Sequence, residues 1–156
     1  MINEFSHLEK RFQKIIINTV DVPYKYGGRG MTGIDCSSLL LRAIRICLKK
    51  SVRELPWMTA DQLAHGFKDI TVPLDHSSFL DLCVLVFFDW DEDGIYEHAA
   101  VRILDGTWIW SSTSAGKVIH VNPSSTVIWD KQWREINDAL DGCHSISRKI
   151  NWIGLI

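Results

Sequence analysis

The chain has 156 residues, 46% of them apolar, and a formal net charge of −2, which suits one domain over residues 1–156 built on one core. No Lys/Arg-rich run occurs, which argues against nucleic acid as a partner. The N-terminus, MINEFSHLEKRF, carries acids early and no apolar segment, so no secretory signal is expected, and no stretch reaches membrane-spanning length. Synthesis in the cytoplasm follows, and if the protein works elsewhere something else delivers or releases it.

Residues from about Phe5 to Thr19 read as an amphipathic helix with Leu8, Phe12 and Ile15 on one stripe. A glycine-rich loop, Gly27 to Gly33, precedes Asp35, a good N-cap for a helix from Cys36 to about Lys49. Its stripe of Cys36, Leu40, Ala43, Ile44 and Cys47 is widened by Leu39, Leu41 and Ile46, so the helix is expected to be buried on most sides. A short helix is expected from Thr59 to Gly66. Strands follow at Leu82–Phe88, Tyr96–Leu104, Thr107–Ser112 and Lys117–Val121, then a helix around Asp130–Leu140 and a last strand near Lys149–Ile156. Helices first and a meander afterwards predict an α+β domain, with helices on one face of an antiparallel sheet of five to six strands.

The four cysteines, Cys36, Cys47, Cys83 and Cys143, form no CxxC pair and no zinc spacing with the histidines. Three sit among apolar neighbours; Cys36 does not. A thiolate is favoured at a helix start, where unpaired amides and the macrodipole stabilise negative charge. The preceding glycines keep bulk away from the sulfur. Cys36 therefore reads as a nucleophile, against the plain alternative of a packed thiol.

Tyr24-x-Tyr26-Gly27-Gly28 followed by Gly33-Ile34-Asp35-Cys36-Ser37 resembles the NlpC/p60 family of papain-like cell-wall cysteine peptidases. The strand ending Phe87-Phe88, then Glu97-His98-Ala99-Ala100-Val101, then Ser111-Ser112-Thr113-Ser114-Ala115-Gly116 extend the likeness over roughly Phe12 to Val121. The resemblance implies a papain-like fold whose buried helix starts at the catalytic Cys36, and His98 as the base that accepts its proton. An acyl-enzyme and hydrolysis of a peptidoglycan stem peptide, usually at the γ-D-glutamyl–diamino-acid bond, would follow. It also implies that Tyr24 lines the site, and that Asp35 and Ser37 take part in substrate recognition. Asp35 has a competing role as helix cap. No cofactor is called for. A delivery machinery or an immunity protein is the kind of protein partner expected, and no membrane partner.

Two departures stand out. The family's third polar residue falls on Trp110, whose indole only donates hydrogen bonds, and Ser38 replaces the usual glycine. A two-residue Asp105-Gly106 loop would put Ser111 on the face of His98, and a three-residue loop would put Trp110 there. Ser111, His120 or a backbone carbonyl are the candidate orienters of His98, with His120 favoured. Trp57 and Trp110 are the tryptophans most suited to grip a ligand. Asp89, Asp91 and Asp93 resemble half of a calcium loop, but Ala100 stands where the twelfth-position acid belongs, so a solvated turn is the preferred reading and no metal site is assigned. The alternatives to a peptidase are a weakened module that binds a peptide or protein partner, and an acyltransferase or deamidase. Acyltransferase relatives place His before Cys, the reverse of the order here.

Overall fold

Helix α1 (Ser6–Ile17) buries Leu8, Phe12 and Ile16 against α2 (Cys36–Leu48), whose Leu39, Leu40, Leu41, Ala43, Ile44 and Cys47 are also buried. These positions recur at helical spacing, and each large side chain removed from water contributes about 1.5–3 kcal/mol. The computed structural model describes residues 5–74, 81–122 and 145–156. The expected helix around Asp130–Leu140 lies outside the described residues, as does Cys143.

Between α1 and α2 a small ribbon, β1 (Arg29–Gly30) and β2 (Gly33–Ile34), closes the glycine loop. Gly28 must be glycine because a Cβ there would overlap the Gly33 carbonyl. Helix α3 (Ala60–Ala64) starts at a capping box, with the Gln62 amide donating to Thr59 Oγ1 and the Thr59 amide donating to Gln62 Oε1.

The main sheet has six antiparallel strands: β3 (Thr71–Pro73), β4 (Val84–Phe88), β5 (His98–Arg102), β6 (Trp108–Ser112), β7 (Lys117–Val121) and β8 (Ser145–Ile150). Their order is β3-β8-β4-β5-β6-β7, so β8 enters the sheet between β3 and β4. The last strand therefore begins earlier than the sequence suggests. It ends before a short helix α4 (Trp152–Leu155), where Asn151 Oδ1 accepts from the Gly154 amide. The α+β fold with helices packed on an antiparallel sheet is as expected.

Period-two alternation sorts the strands onto two faces. Leu85, Phe87, Ala99, Val101, Ile109 and Val118 join the main core with α1 and α2. Val84, Val86, Phe88, Ala100, Trp108, Trp110 and Val121 form a second apolar cluster on the other face. A buried carboxylate ties the ends of the fold together: Glu9 accepts from the Cys83 amide at 2.9 Å and from Trp152 Nε1 at 2.9 Å. Burial nonetheless raises its pKa. No helix among the described residues is long and apolar enough to cross a membrane.

Candidate active site

Asp35 begins α2 from an extended backbone, and its Oδ1 accepts from the Ser38 amide at 2.8 Å. The same carboxylate accepts from Ser37 Oγ at 3.3 Å and, through Oδ2, from the Gly27 amide at 3.2 Å. Gly27 takes positive φ, 72°, to present that amide. The capping role of Asp35 is thus realised, and it also ties the glycine loop to the start of the helix. Ser37 and Ser38 are buried, and Cys36 is half-buried.

Cys36 opens into a cleft of about 600 Å³ that is also lined by Tyr24, Asp35, Ser37, Trp57, Asp61 and Glu97. Tyr24 sits close enough that, after burial, the charge of Cys36 is the next cause raising its phenol pKa. Asp61 Oδ1 accepts from the Tyr96 amide at 2.9 Å and lies 3.2 Å from His65 Nε2, which anchors α3 to the segment entering β5. Asp61, Tyr96 and Glu97 were not singled out from sequence. The acid in the Glu97-His98 pair and the Asp61 one turn from His65 were the signals available.

Burial pushes the Cys36 thiol up to about 11. The amides of Ala99, Ser37 and Cys36 pull it down and the Asp35 charge raises it further. Desolvation thus opposes the ionised sulfur expected of a helix start and outweighs the pull of the amides. The Ala99 amide that reaches Cys36 belongs to the residue directly after His98. Burial lowers His98 itself to about 4. Its ring stacks on Phe88 and lies tilted against Trp90, each with a centroid separation of 5.9 Å. Among the described residues no hydrogen bond joins the imidazole to Cys36: His98 pairs with Phe88 and shares the face of the second cluster, so its side chain points away from the α2 side where Cys36 lies, and only the strand backbone at Ala99 brings the two positions close.

The hairpin after β5 closes through Leu104, Asp105 and Gly106: the Ile103 amide donates to the Thr107 carbonyl at 2.9 Å, and Gly106 has φ 86°. Val101 pairs with Ile109 and Arg102 with Trp108, so the three-residue loop holds and Trp110 lies on the face of His98. Trp110 is buried in the second cluster, beside Ala100 and away from the cleft-lining residues, which does not fit the ligand-gripping role expected of it. Ser111 lies on the opposite face and donates to the Ile34 carbonyl at 2.7 Å, which fastens β6 to the loop before Cys36. His120 pairs with Ile109, so it too faces away from His98; its Nε2 lies 2.6 Å from Thr107 Oγ1 at the exposed hairpin end. The expectation that His120 orients His98 is therefore corrected by strand register.

In the acidic turn Asp89 accepts from the Gly94 amide at 2.8 Å and from the Asp93 amide at 3.3 Å. The carboxylates of Asp89, Asp91, Asp93 and Glu97 lie within 4.8 Å of one another. Sharing a hydrogen bond with Glu97 is the main cause raising the Asp91 carboxyl.

The NlpC/P60 family profile matches residues 21–138. Among solved structures, the fold is similar to an NlpC/P60 family protein from Bacillus cereus (18% identity, 90% of this chain, 39% of that chain, TM-score 0.60). It is also similar to NlpC1 from Trichomonas vaginalis (21%, 78% and 41%, 0.56) and to the peptidoglycan hydrolase RipB from Mycobacterium tuberculosis (19%, 81% and 64%, 0.53). The chain spans about two fifths of the length of the first two. No curated protein matches it. With its Cys-led buried helix, its six-stranded antiparallel sheet and a profile match over most of its length, the chain belongs to the NlpC/P60 family.

Proposed function

We propose that the protein is a cysteine peptidase that hydrolyses peptidoglycan stem peptides, at the γ-D-glutamyl–diamino-acid bond, in a cell wall or periplasm reached by delivery or lysis. The observation that carries this reading is the position of Cys36. It opens α2 in a 600 Å³ cleft shared with Tyr24, Asp35 and Ser37, with the amide after His98 against its sulfur. Membership of the family, and the peptidoglycan hydrolase RipB among proteins of similar fold, support the substrate class.

The reaction starts from a neutral thiol and a neutral imidazole. His98 takes the thiol proton as the sulfur attacks the carbonyl carbon, a step that requires the start of β5 to rearrange, because the ring lies with Phe88 and Trp90 on the sheet face opposite α2. The amides at the start of α2, that of Cys36 among them, hold the oxyanion. The C–N bond breaks, the proton passes from His98 to the leaving amine, and a thioester remains. Water, deprotonated by His98, then attacks the thioester and releases the new carboxylate and the Cys36 thiol. Asp35, fixed by its three hydrogen bonds, presents negative charge at the cleft to a cationic group of the substrate.

Digestion of purified sacculi followed by mass spectrometry tests this. New termini at the γ-D-glutamyl bond, absent with Cys36→Ala, are expected. Sacculi left intact by the wild type would end the reading. Trp110 at the position of the third polar residue favours a second reading, a module that holds peptide without cleaving it. Peptide binding equal in wild type and Cys36→Ala, with no turnover, would select it.

A further inference from the structure

Behind the cleft, at the far end of α2, positive charge accumulates. Arg42, Arg45 and Lys49 fall at i, i+3 and i+7, one stripe of the helix. Together with Arg29 from β1, Lys50 and Trp57 they border a pocket of about 420 Å³. Arg45 is only 7% exposed, and its guanidinium lies 3.7 Å from the centre of the Trp57 ring, with Arg29 at 5.1 Å from the same ring. Arg45 Nε and Nη2 are buried and have no hydrogen-bond partner among the described residues. Those two nitrogens form one edge of the guanidinium, the edge that makes paired bonds to the oxygens of a carboxylate or phosphate.

The usual structural reason for such cations is only partly met here. Basic residues at a helix C-terminus offset its partial negative charge, which accounts for Lys49 and Lys50 at the surface. Lys50 also has Glu54 3.8 Å away. Neither reason covers a buried Arg45 beside two more arginines. Among the described residues no carboxylate pairs with Arg29, Arg42, Arg45 or Lys49. Desolvation, followed by the charges of Arg29 and Arg42, lowers the Arg45 pKa, as expected of a cation crowded by its own kind. Leaving buried donors and like charges uncompensated is unfavourable, and an anion in the pocket removes both costs. Four charges with no carboxylate partner among the described residues outweigh the half-charge of the helix end.

We infer that this pocket is a binding site for a multiply charged oxyanion, of phosphate or polycarboxylate type, held edge-on by Arg45 and flanked by Arg42, Arg29 and Lys49. Arg29 and Trp57 line both this pocket and the Cys36 cleft. The anion is therefore either free or carried by a molecule that also lies in the cleft. The site uses no atom of Cys36, so it stands apart from the peptidase reading.

The test is calorimetric titration of the full chain with inorganic pyrophosphate at low salt, with sodium chloride of equal ionic strength as control. Binding is expected in the wild type and in Cys36→Ala, weakening as salt rises. Arg45→Met, which keeps a long side chain on Trp57, is expected to weaken it about tenfold or more, the loss of one charge-assisted pair. Arg42→Gln and Lys49→Gln, at less buried positions, are each expected to weaken it roughly threefold to tenfold, and they keep the test readable should Arg45→Met not fold. A parallel titration with a carboxylate-bearing muropeptide separates the sources: Arg45-dependent binding there assigns the anion to the cleft ligand, and dependence with pyrophosphate alone assigns it to a free anion. No binding of either probe, or binding indifferent to all three substitutions, would overturn the site.

Discussion

The two ends of α2 are built by opposite rules. At the first turn the Asp35 carboxylate is fully engaged, taking hydrogens from Gly27, Ser37 and Ser38, and the Ala99 amide faces the Cys36 sulfur. At the last turn Arg45 is buried with two nitrogens unanswered among the described residues, and Lys49 ends the helix in the left-handed region at φ 55°. The first end is locally finished, which fixes the thiol in place but leaves it uncharged. The second is incomplete without something negative. A site that positions a reacting atom needs the first kind of construction, and a site that collects a charged ligand shows itself by the second.

The comparison breaks most visibly at Cys36. Cys36→Ala is expected to remove at least about 1,000-fold of sacculus hydrolysis, because the loss of a nucleophile leaves only binding and oxyanion contacts; release of stem-peptide fragments measures it. The resting state of the sulfur can be read without substrate. With the thiol near 11 and His98 near 4, iodoacetamide should alkylate Cys36 about tenfold faster per pH unit between pH 7 and 9, because the thiolate is the reactive form. Peptide mapping by mass spectrometry gives the rate. A plateau from pH 5 to 8 would mean a preformed ion pair, and the picture of a finished but neutral first turn would fail.

Backbone changes come next in size. Gly28→Ala drives a Cβ into the Gly33 carbonyl, so a loss of about 2–4 kcal/mol is expected, seen as a thermal midpoint lower by roughly 5–15 °C. Asp35→Ala removes the N-cap and should cost about 1–2 kcal/mol, whereas Asp35→Asn keeps an acceptor and should cost only a few tenths. Equal losses for Ala and Asn in denaturant titrations would mean that the charge, not the cap, holds the first turn.

How much of this was open to sequence reading depends on how local each cause is. Asp35, the glycines and the apolar stripe of α2 specify its start within a few residues, so the helix and the cleft-lining Tyr24, Asp35, Cys36 and Ser37 were legible. The side of the sheet taken by Trp110, Ser111 and His120 was not, because it turns on whether Leu104 belongs to a strand or a loop, and a one-residue slip exchanges the faces. Strand β8 was misplaced because Ser145–Ile150 is mostly half-buried and shows no clean alternation. The cationic pocket escaped a search for charge runs because Arg42, Arg45 and Lys49 are neighbours only on a helix, and Arg29 joins them only through the glycine loop. The neutral thiol could not be anticipated from a helix start, since desolvation is a property of the packed site.

The smallest effect is at the open end itself. Lys49 carries two burdens there, a charge in the cationic group and a left-handed backbone that costs an L-residue roughly 1 kcal/mol. Lys49→Gln removes the charge and keeps the backbone cost; Lys49→Gly removes both. Glycine accepts positive φ without a Cβ penalty, so Lys49→Gly should be more stable than Lys49→Gln by about 1 kcal/mol in urea unfolding. The two should bind pyrophosphate equally weakly, since both lack the ammonium group. If Gly and Gln are equally stable, the left-handed cap does not strain this helix end, and the incompleteness of the last turn rests on its uncompensated charge alone.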